Sequence, residues 1–376
     1  MTAKTIVLII ISVIVLSCRN GTDENKRSVE KIAEAEKDLT WNYNPTSGFE
    51  KISFTETSID SAVIDSINNG ITNHRKISND FRSFIIVQDY RLLYEKYYNN
   101  WDTTDLNSIK SVTKSINALL VGKAIELGLI DSVEQKISDF FPEYFESVND
   151  SLKEEIRIKN LLTMSAGFEW NNFGGKYRSG WDLYKGNRNE YLITQTVMGS
   201  NPGEIFNYNS GLSHMLSSII TEKSGMSTEQ FAEKYLFDSL GITNYKWTKD
   251  RNGYNLGNSE LFLTSRDMAK IGLLILKNGF WYDKQLIDSA YINEMLSPQI
   301  KTAGIGEKYS EHYGYQWWVK TYKDVTINFA AGYGGQYIFV IPKFDLVLVF
   351  TTNWQKSNSS FKPLELIERL VDLMIE

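Results

Sequence analysis

Ser111-Val112-Thr113-Lys114 sets a hydroxyl and an amine one helical turn apart. Residues three apart on a helix share nearly one face, so the amine lies within reach of the hydroxyl. A serine hydroxyl is a poor nucleophile until a base takes its proton, and a lysine serves as that base only where its pKa is lowered. Burial lowers it, as does the positive end of a helix dipole. The start of a buried helix therefore suits the pair. Ile116, Leu119, Leu120, Ala124 and Leu127 recur at helical spacing after it, and Asn107 or Ser108 is placed to cap its beginning. Two further Ser-x-x-Lys matches lack this setting. Ser28 to Lys31 sits in a charged segment with no apolar stripe after it, and Ser359 to Lys362 runs straight into Pro363.

A second signal is Pro202-Gly203-Glu204-Ile205-Phe206-Asn207-Tyr208-Asn209-Ser210-Gly211, a turn-rich approach to a helix carrying Leu212 and Leu216. A tyrosine hydroxyl beside a lysine can lose or pass a proton, because neighbouring positive charge favours the phenolate, and Tyr208 is the candidate shuttle. The plainer reading is one more buried aromatic among 21 tyrosines. A third signal is Ala331-Gly332-Tyr333-Gly334-Gly335-Gln336-Tyr337-Ile338. Its glycines open a predicted edge strand, where another backbone or a ligand can come close and an unpaired amide can donate to a developing oxyanion. The alternative is a glycine-rich hairpin turn or bulge with no ligand.

Taken together and in this order, Ser111-x-x-Lys114, Tyr208-Asn209-Ser210 and Tyr333-Gly334-Gly335 resemble the three boxes of the serine beta-lactamase and penicillin-binding-protein superfamily. The nearest branch is the class C-like one, which also holds esterases, D-amino-acid peptidases and aminohexanoate-oligomer hydrolases. Residues 158–167, ending Leu161-Leu162-Thr163-Met164-Ser165-Ala166-Gly167, resemble a further stretch of that branch, so the resemblance spans roughly residues 60–375. It implies that Ser111 attacks a carbonyl while Lys114 and Tyr208 manage the protons. The backbone N–H groups of Ser111 and Gln336 would form the oxyanion hole, with Ser210, Tyr333, Gly334 and Gly335 beside the substrate and no cofactor.

Two departures bear on the substrate. The second box usually ends in asparagine and here ends in Ser210; the third usually opens with lysine, or with histidine in the esterase branch, where this chain has Tyr333. A buried phenol donates one hydrogen bond but carries no charge, so a substrate carboxylate there would lack a counter-ion. The expected chemistry is hydrolysis of a neutral ester or amide, in preference to penicillins and cephalosporins. A protein that is acylated once and stays so, acting as a sensor or cell-wall-binding module, is the rival; the intact Ser111, Lys114 and Tyr208 favour turnover.

The surrounding elements must deliver these residues to one place. The chain has 376 residues, of which 42% are hydrophobic and 13% aromatic, enough for a large core, and its formal charge of -6 with no basic cluster gives no reason to expect nucleic-acid binding. Small-molecule or peptide chemistry fits better. Residues 1–17 carry one charged side chain, Lys4, then an apolar run with the length of a signal-peptide core, ending at Leu16-Ser17-Cys18. That ending resembles a bacterial lipoprotein signal, which implies an exported protein held to a membrane by lipid on Cys18. Because Cys18 is the single cysteine, no intrachain disulfide can form. Residues 18–51 read as a polar tether and 52–376 as the folded domain.

Within that domain, periodicity predicts a helix over 61–69, a hairpin of strands over 83–87 and 92–98, and helices over 156–164, 190–197, 212–222, 228–237 and 265–276. Strands follow over 315–319, 325–329, 336–341 and 346–351, and a helix over 364–374 closes the chain. Strands at both ends with helices between them predict an α+β fold, in which one antiparallel sheet is completed by both ends of the domain and an all-helical lobe is inserted. The cleft would lie where lobe meets sheet. His74, His214 and His312 are too scattered to read as zinc ligands; His214 and Glu169 read as a core histidine and a solvated loop carboxylate.

Overall fold

A computed structural model of the chain describes residues 48–57, 59–73, 78–356 and 360–375. The leader, Cys18, Ser28, His74 and Ser359 lie outside these residues, as does the tether before residue 48. The first pairing is made by a short strand, β1 (Glu50–Lys51), followed by helix α1 (Ser61–Thr72). Strands β2 (Phe81–Gln88) and β3 (Arg91–Tyr97) then form a hairpin. Its two turn residues, Asp89 and Tyr90, have φ of 46° and 59°. Positive φ at both central positions matches the twist of paired strands, which is why so short a connection works here.

The chain next leaves the sheet. After β4 (Asn107–Ser108) comes α2 (Val112–Glu126), whose residues are buried without a break from Val112 to Ala124. A helix apolar on every face belongs inside, and its few polar groups are therefore bonded. Ser115 Oγ donates to the Gln316 carbonyl at 2.6 Å, Asn117 Nδ2 to the Ser213 carbonyl at 2.9 Å, and the Tyr291 hydroxyl to the Ala118 carbonyl at 2.8 Å. Neither Asn107 nor Ser108 caps this helix. Both belong to β4, and Ser111 occupies the cap position with its side chain making no capping bond. The hydroxyl is thereby left for other partners.

Around α2 the lobe adds α3 (Ile158–Leu162), α4 (Lys176–Leu183), α5 (Arg188–Gln195), α6 (Ser210–Ser224) and α7 (Thr228–Ala232). Strands β5 (Lys246–Trp247) and β6 (Leu261–Leu263) join β4 in a small sheet at its border. Helix α8 (Ser265–Leu276) packs on the main sheet, where a Cβ on Gly272 would stand 2.4 Å from Val347. The glycine permits that close approach.

The second half of the sheet follows a small hairpin of β7 (Phe280–Trp281) and β8 (Lys284–Gln285). It comprises β9 (Ile300–Lys301), β10 (His312–Tyr313), β11 (Trp318–Tyr322), β12 (Val325–Gly332), β13 (Gln336–Ile341) and β14 (Leu346–Thr352). The closing helix α9 (Lys362–Ile375) packs on α1. Nine strands run in the order β1-β3-β2-β14-β13-β12-β11-β10-β9, so the antiparallel pairing of β2 with β14 joins the two ends of the chain. The fold is α+β, an open sheet built from both ends of the domain around an inserted helical lobe, antiparallel except where β1 runs parallel to β3.

Two strand expectations are corrected. The strand over 315–319 starts three residues later, because Gln316 has φ of 59° and its side-chain amide is used elsewhere. Gln316 Nε2 donates to the Leu161 and Leu162 carbonyls at 2.9 and 3.0 Å, satisfying the end of α3, and its Oε1 accepts from Ser213 Oγ at 2.7 Å. The strand after the glycine box is no edge: β13 lies between β12 and β14, and Tyr333, Gly334 and Gly335 form the turn that joins β12 to it.

Candidate active site

The Ser111 hydroxyl sits at the N-terminus of α2, partly open to solvent, and receives a hydrogen bond from Lys114 Nζ at 3.0 Å. Lys114 is 1% exposed, and its other partner is the backbone carbonyl of Asn258 at 2.6 Å. No carboxylate pairs with this amine among the described residues. Burial holds the ammonium well below the usual lysine range, and the positive charge of Arg178 pushes it the same way. An uncharged amine carries a lone pair. In that state the hydrogen bond reverses, the Ser111 hydroxyl donating to Nζ, which is the arrangement a general base requires.

Tyr208 joins them from the segment before α6. Its phenol is hydrogen-bonded to Ser111, its ring lies 5.2 Å from Lys114 Nζ, and it stacks on Trp318 with ring centres 6.1 Å apart. Burial raises its pKa, opposed by the bond to Ser111 and reinforced by the neighbouring Tyr309 phenol. This corrects the expectation of a phenolate favoured by positive charge. Desolvation prevails, and Tyr208 keeps its proton. Two groups pushed in opposite directions, an amine whose neutral form burial favours and a phenol kept protonated, make a base and an acid side by side.

Ser111 and Tyr208 share a cleft of about 340 Å³ with Asn172, Phe173, Ile305, Tyr309, Trp318, Ala331 and Tyr333. A second hollow of about 510 Å³ continues from it, sharing Asn172, Phe173, Tyr208 and Ile305. The cleft lies where the lobe meets the sheet, and its walls are aromatic and uncharged. Tyr333 is 50% exposed, so it is a half-open phenol at the rim and not the buried one inferred above. Lys301 and Lys320 supply no charge to this lining: Lys301 is exposed on β9 and Lys320 pairs with Glu368 at 2.8 Å.

The other expected residues stand behind the cleft. Ser210 is 4% exposed and opens α6, its N–H donating to Asn172 Oδ1 at 3.0 Å; Asn209 caps that helix by accepting from Gly211 N–H at 2.8 Å. Gln336 is fully buried and its side-chain amide donates to the Thr352 carbonyl at 2.9 Å, so only its backbone is left to face the site. Gly334, with φ of 83°, lies where a Cβ would stand 2.3 Å from Trp354 Cα. A Cβ on Gly332 would stand 2.3 Å from the Ile109 carbonyl oxygen. The glycines of this turn thus admit backbone, and at Gly332 the backbone is that leading into Ser111. His214 lies in the core, fully buried, 3.2 Å from Asp250, and Glu169 is exposed.

Asn172, Trp318, Tyr309 and the carbonyl of Asn258 are site components that no sequence pattern marks. Trp318 and Tyr309 could be suspected only from the aromatic richness of residues 309–318, and a backbone carbonyl has no sequence signature at all.

Comparisons with known proteins find hydrolases and the same fold. A 6-aminohexanoate-dimer hydrolase of Paenarthrobacter ureafaciens is 22% identical over 289 residues, covering 72% of each chain. Among solved structures, a Bacillus anthracis protein provisionally named 6-aminohexanoate-dimer hydrolase superposes with a TM-score of 0.68 at 19% identity, over 94% of each chain. EstCE1, described as a hydrolase with promiscuous acyltransferase activity, gives 0.68 at 14% identity over 82% of this chain and 98% of its own. The beta-lactamase family profile matches residues 82–372, a span that includes all three boxes, and the chain therefore belongs to the beta-lactamase family of serine hydrolases.

Proposed function

We propose that Ser111 is the nucleophile of an esterase or amidase that works through an acyl-enzyme on neutral substrates. The observation that carries this reading is the 3.0 Å contact between Ser111 Oγ and a buried Lys114 Nζ whose pKa that burial lowers. Lys114 accepts the hydroxyl proton as Oγ bonds to the substrate carbonyl carbon. The oxygen of that carbonyl becomes negative and is met by the backbone N–H groups of Ser111 and Gln336. Among the described residues no acceptor takes the Ser111 N–H, which supports that role. Collapse of the tetrahedral species breaks the bond to the leaving group, which departs with a proton passed from Tyr208, itself reprotonated from Lys114. Water then attacks the ester on Ser111 by the same steps in reverse order, returning the free hydroxyl and releasing the acid.

The uncharged walls of the cleft support a neutral acyl ester or amide as substrate, because no charged side chain in its lining would pair with a desolvated carboxylate. Amide cleavage has further support in the name of the hydrolase relative. Treating the full chain with a fluorophosphonate, then with a panel of short-chain esters, D-amino-acid peptides and a chromogenic beta-lactam, tests the reading. Label on wild type that is lost in Ser111→Ala, with turnover of an ester or amide, is the expected result. Label without turnover would establish the single-acylation sensor instead. Lipid on Cys18 as a membrane anchor is part of the same proposal, motivated by the apolar leader that ends there.

A further inference from the structure

Lys110 and Glu260 both hold left-handed backbone, with φ of 51° and 61°. For residues with a Cβ that conformation costs free energy, and such strain survives where the surroundings over-determine it. Here the two strained residues face one another. Lys110 Nζ lies 2.7 Å from Glu260 Oε1, with side chains 13% and 30% exposed, and 3.4 Å from the centre of the Trp354 ring.

Their place in the chain gives the pair a consequence. Asn107 and Ser108 pair with Leu263 and Phe262, and Ile109 N–H donates to the Leu261 carbonyl at 3.0 Å, so two antiparallel segments run together up to this point. There both turn away. Lys110 turns into Ser111 and the start of α2, while Glu260 leads back to Asn258, whose carbonyl accepts from Lys114 Nζ at 2.6 Å. The ion pair thus closes the open end of the ladder, between the segment that carries the nucleophile and the one that orients the base. Lys110 also backs the glycine turn, its Cβ standing 3.2 Å from where a Cβ on Gly332 would be.

We propose that Lys110 and Glu260 are a positioning pair that sets the Ser111 Oγ to Lys114 Nζ geometry by clamping the Asn258 carbonyl against the amine. Glycine at either position would relieve the strain, yet it would lose the clamp. This inference rests on the proposed roles of Ser111 and Lys114.

The test exploits that opposition of strain and pairing. In the full chain, Lys110→Gly and Glu260→Gly are compared with wild type, the double variant and Lys110→Arg. Each is assayed for kcat and KM on a short-chain p-nitrophenyl ester, for the rate of fluorophosphonate labelling, and for Tm. Misplacing a catalytic group by a fraction of an ångström costs about tenfold or more, so each glycine variant should lose about tenfold in kcat and in labelling rate. KM should stay within about threefold and Tm should be unchanged or higher. The double variant should be no worse than the poorer single one, since both break one unit, and Lys110→Arg should restore most of the activity. Unchanged kcat in the single variants, losses that multiply in the double variant, or activity that falls only in step with Tm would each overturn the inference. Wild-type Ser111 that takes no label would instead refute the nucleophile assignment beneath it.

Discussion

Replacing Lys114 with Met separates what this side chain does for catalysis from what its burial costs the fold. Methionine has a similar length and no branch, and it fills apolar space adaptably, so the 1% exposed site should accept it. Loss of the general base should lower kcat/KM by about 10²- to 10⁴-fold, or about 3 to 5 kcal/mol on the barrier. Stability should move differently. The folded pKa of Lys114 lies below its unfolded value, so between the two the unfolded chain holds a proton that the folded chain lacks. Wild type therefore loses stability as pH falls through that window, at about 1.4 kcal/mol per pH unit for one proton, and the loss stops below the folded pKa. The Met variant lacks this dependence. Against its gain stands the Asn258 carbonyl, left without its 2.6 Å partner at a cost of about 1 to 3 kcal/mol. The difference in Tm between variant and wild type should accordingly shift towards the variant by about 2 to 4 °C for each unit the pH is lowered from 10. Thermal melts from pH 6 to 10, beside ester hydrolysis at each pH, measure both effects. A Tm difference independent of pH would show that Lys114 is not held neutral, and more than about a tenth of wild-type activity in the variant would show that it is not the base.

Gly332→Ala should lower stability by about 1 to 3 kcal/mol and slow Ser111 labelling, because its Cβ would stand 2.3 Å from the Ile109 carbonyl oxygen; a wild-type Tm would contradict that close approach. Tyr333→Lys should raise the preference for a carboxylate-bearing cephalosporin over a neutral ester, and since this position is 50% exposed, solvent screening limits the change to about 1 kcal/mol, or about three- to tenfold. A ratio of the two kcat/KM values that does not move would mean that the substrate carboxylate does not reach this rim. Cys18→Ala should shift the protein from the membrane fraction to the soluble one or block processing of its leader, and unchanged fractionation would point to an uncleaved anchor.

Much of this protein is decided by local chemistry and is therefore written in its sequence. The Ser111 to Lys114 spacing needs only a helix to bring the two groups together, and the apolar residues from Ile116 to Leu127 ensure that helix. The β2–β3 hairpin, α8 and the strands β13 and β14 follow from periodicity and turn residues within a few positions of themselves, and the placement of strands at both ends was enough to imply a sheet built from both. What tertiary structure alone decided are matters of who lies opposite whom. Whether Tyr208 holds or gives up its proton depended on burial from several segments at once, and so did the lowered pKa of Lys114. Gln316 broke an otherwise strand-like run because its amide was needed at the end of α3, more than 150 residues earlier in the chain. The glycine box lay in the middle of the sheet because β14 continued the pairing to β2 across the whole length of the domain. The Lys110 to Glu260 clamp joins residues 150 positions apart, and its strain arises only where the two segments meet. Residue types and short spacings select the chemistry that is available; the long-range contacts determine the protonation states, the open face of the cleft and the geometry in which that chemistry can occur.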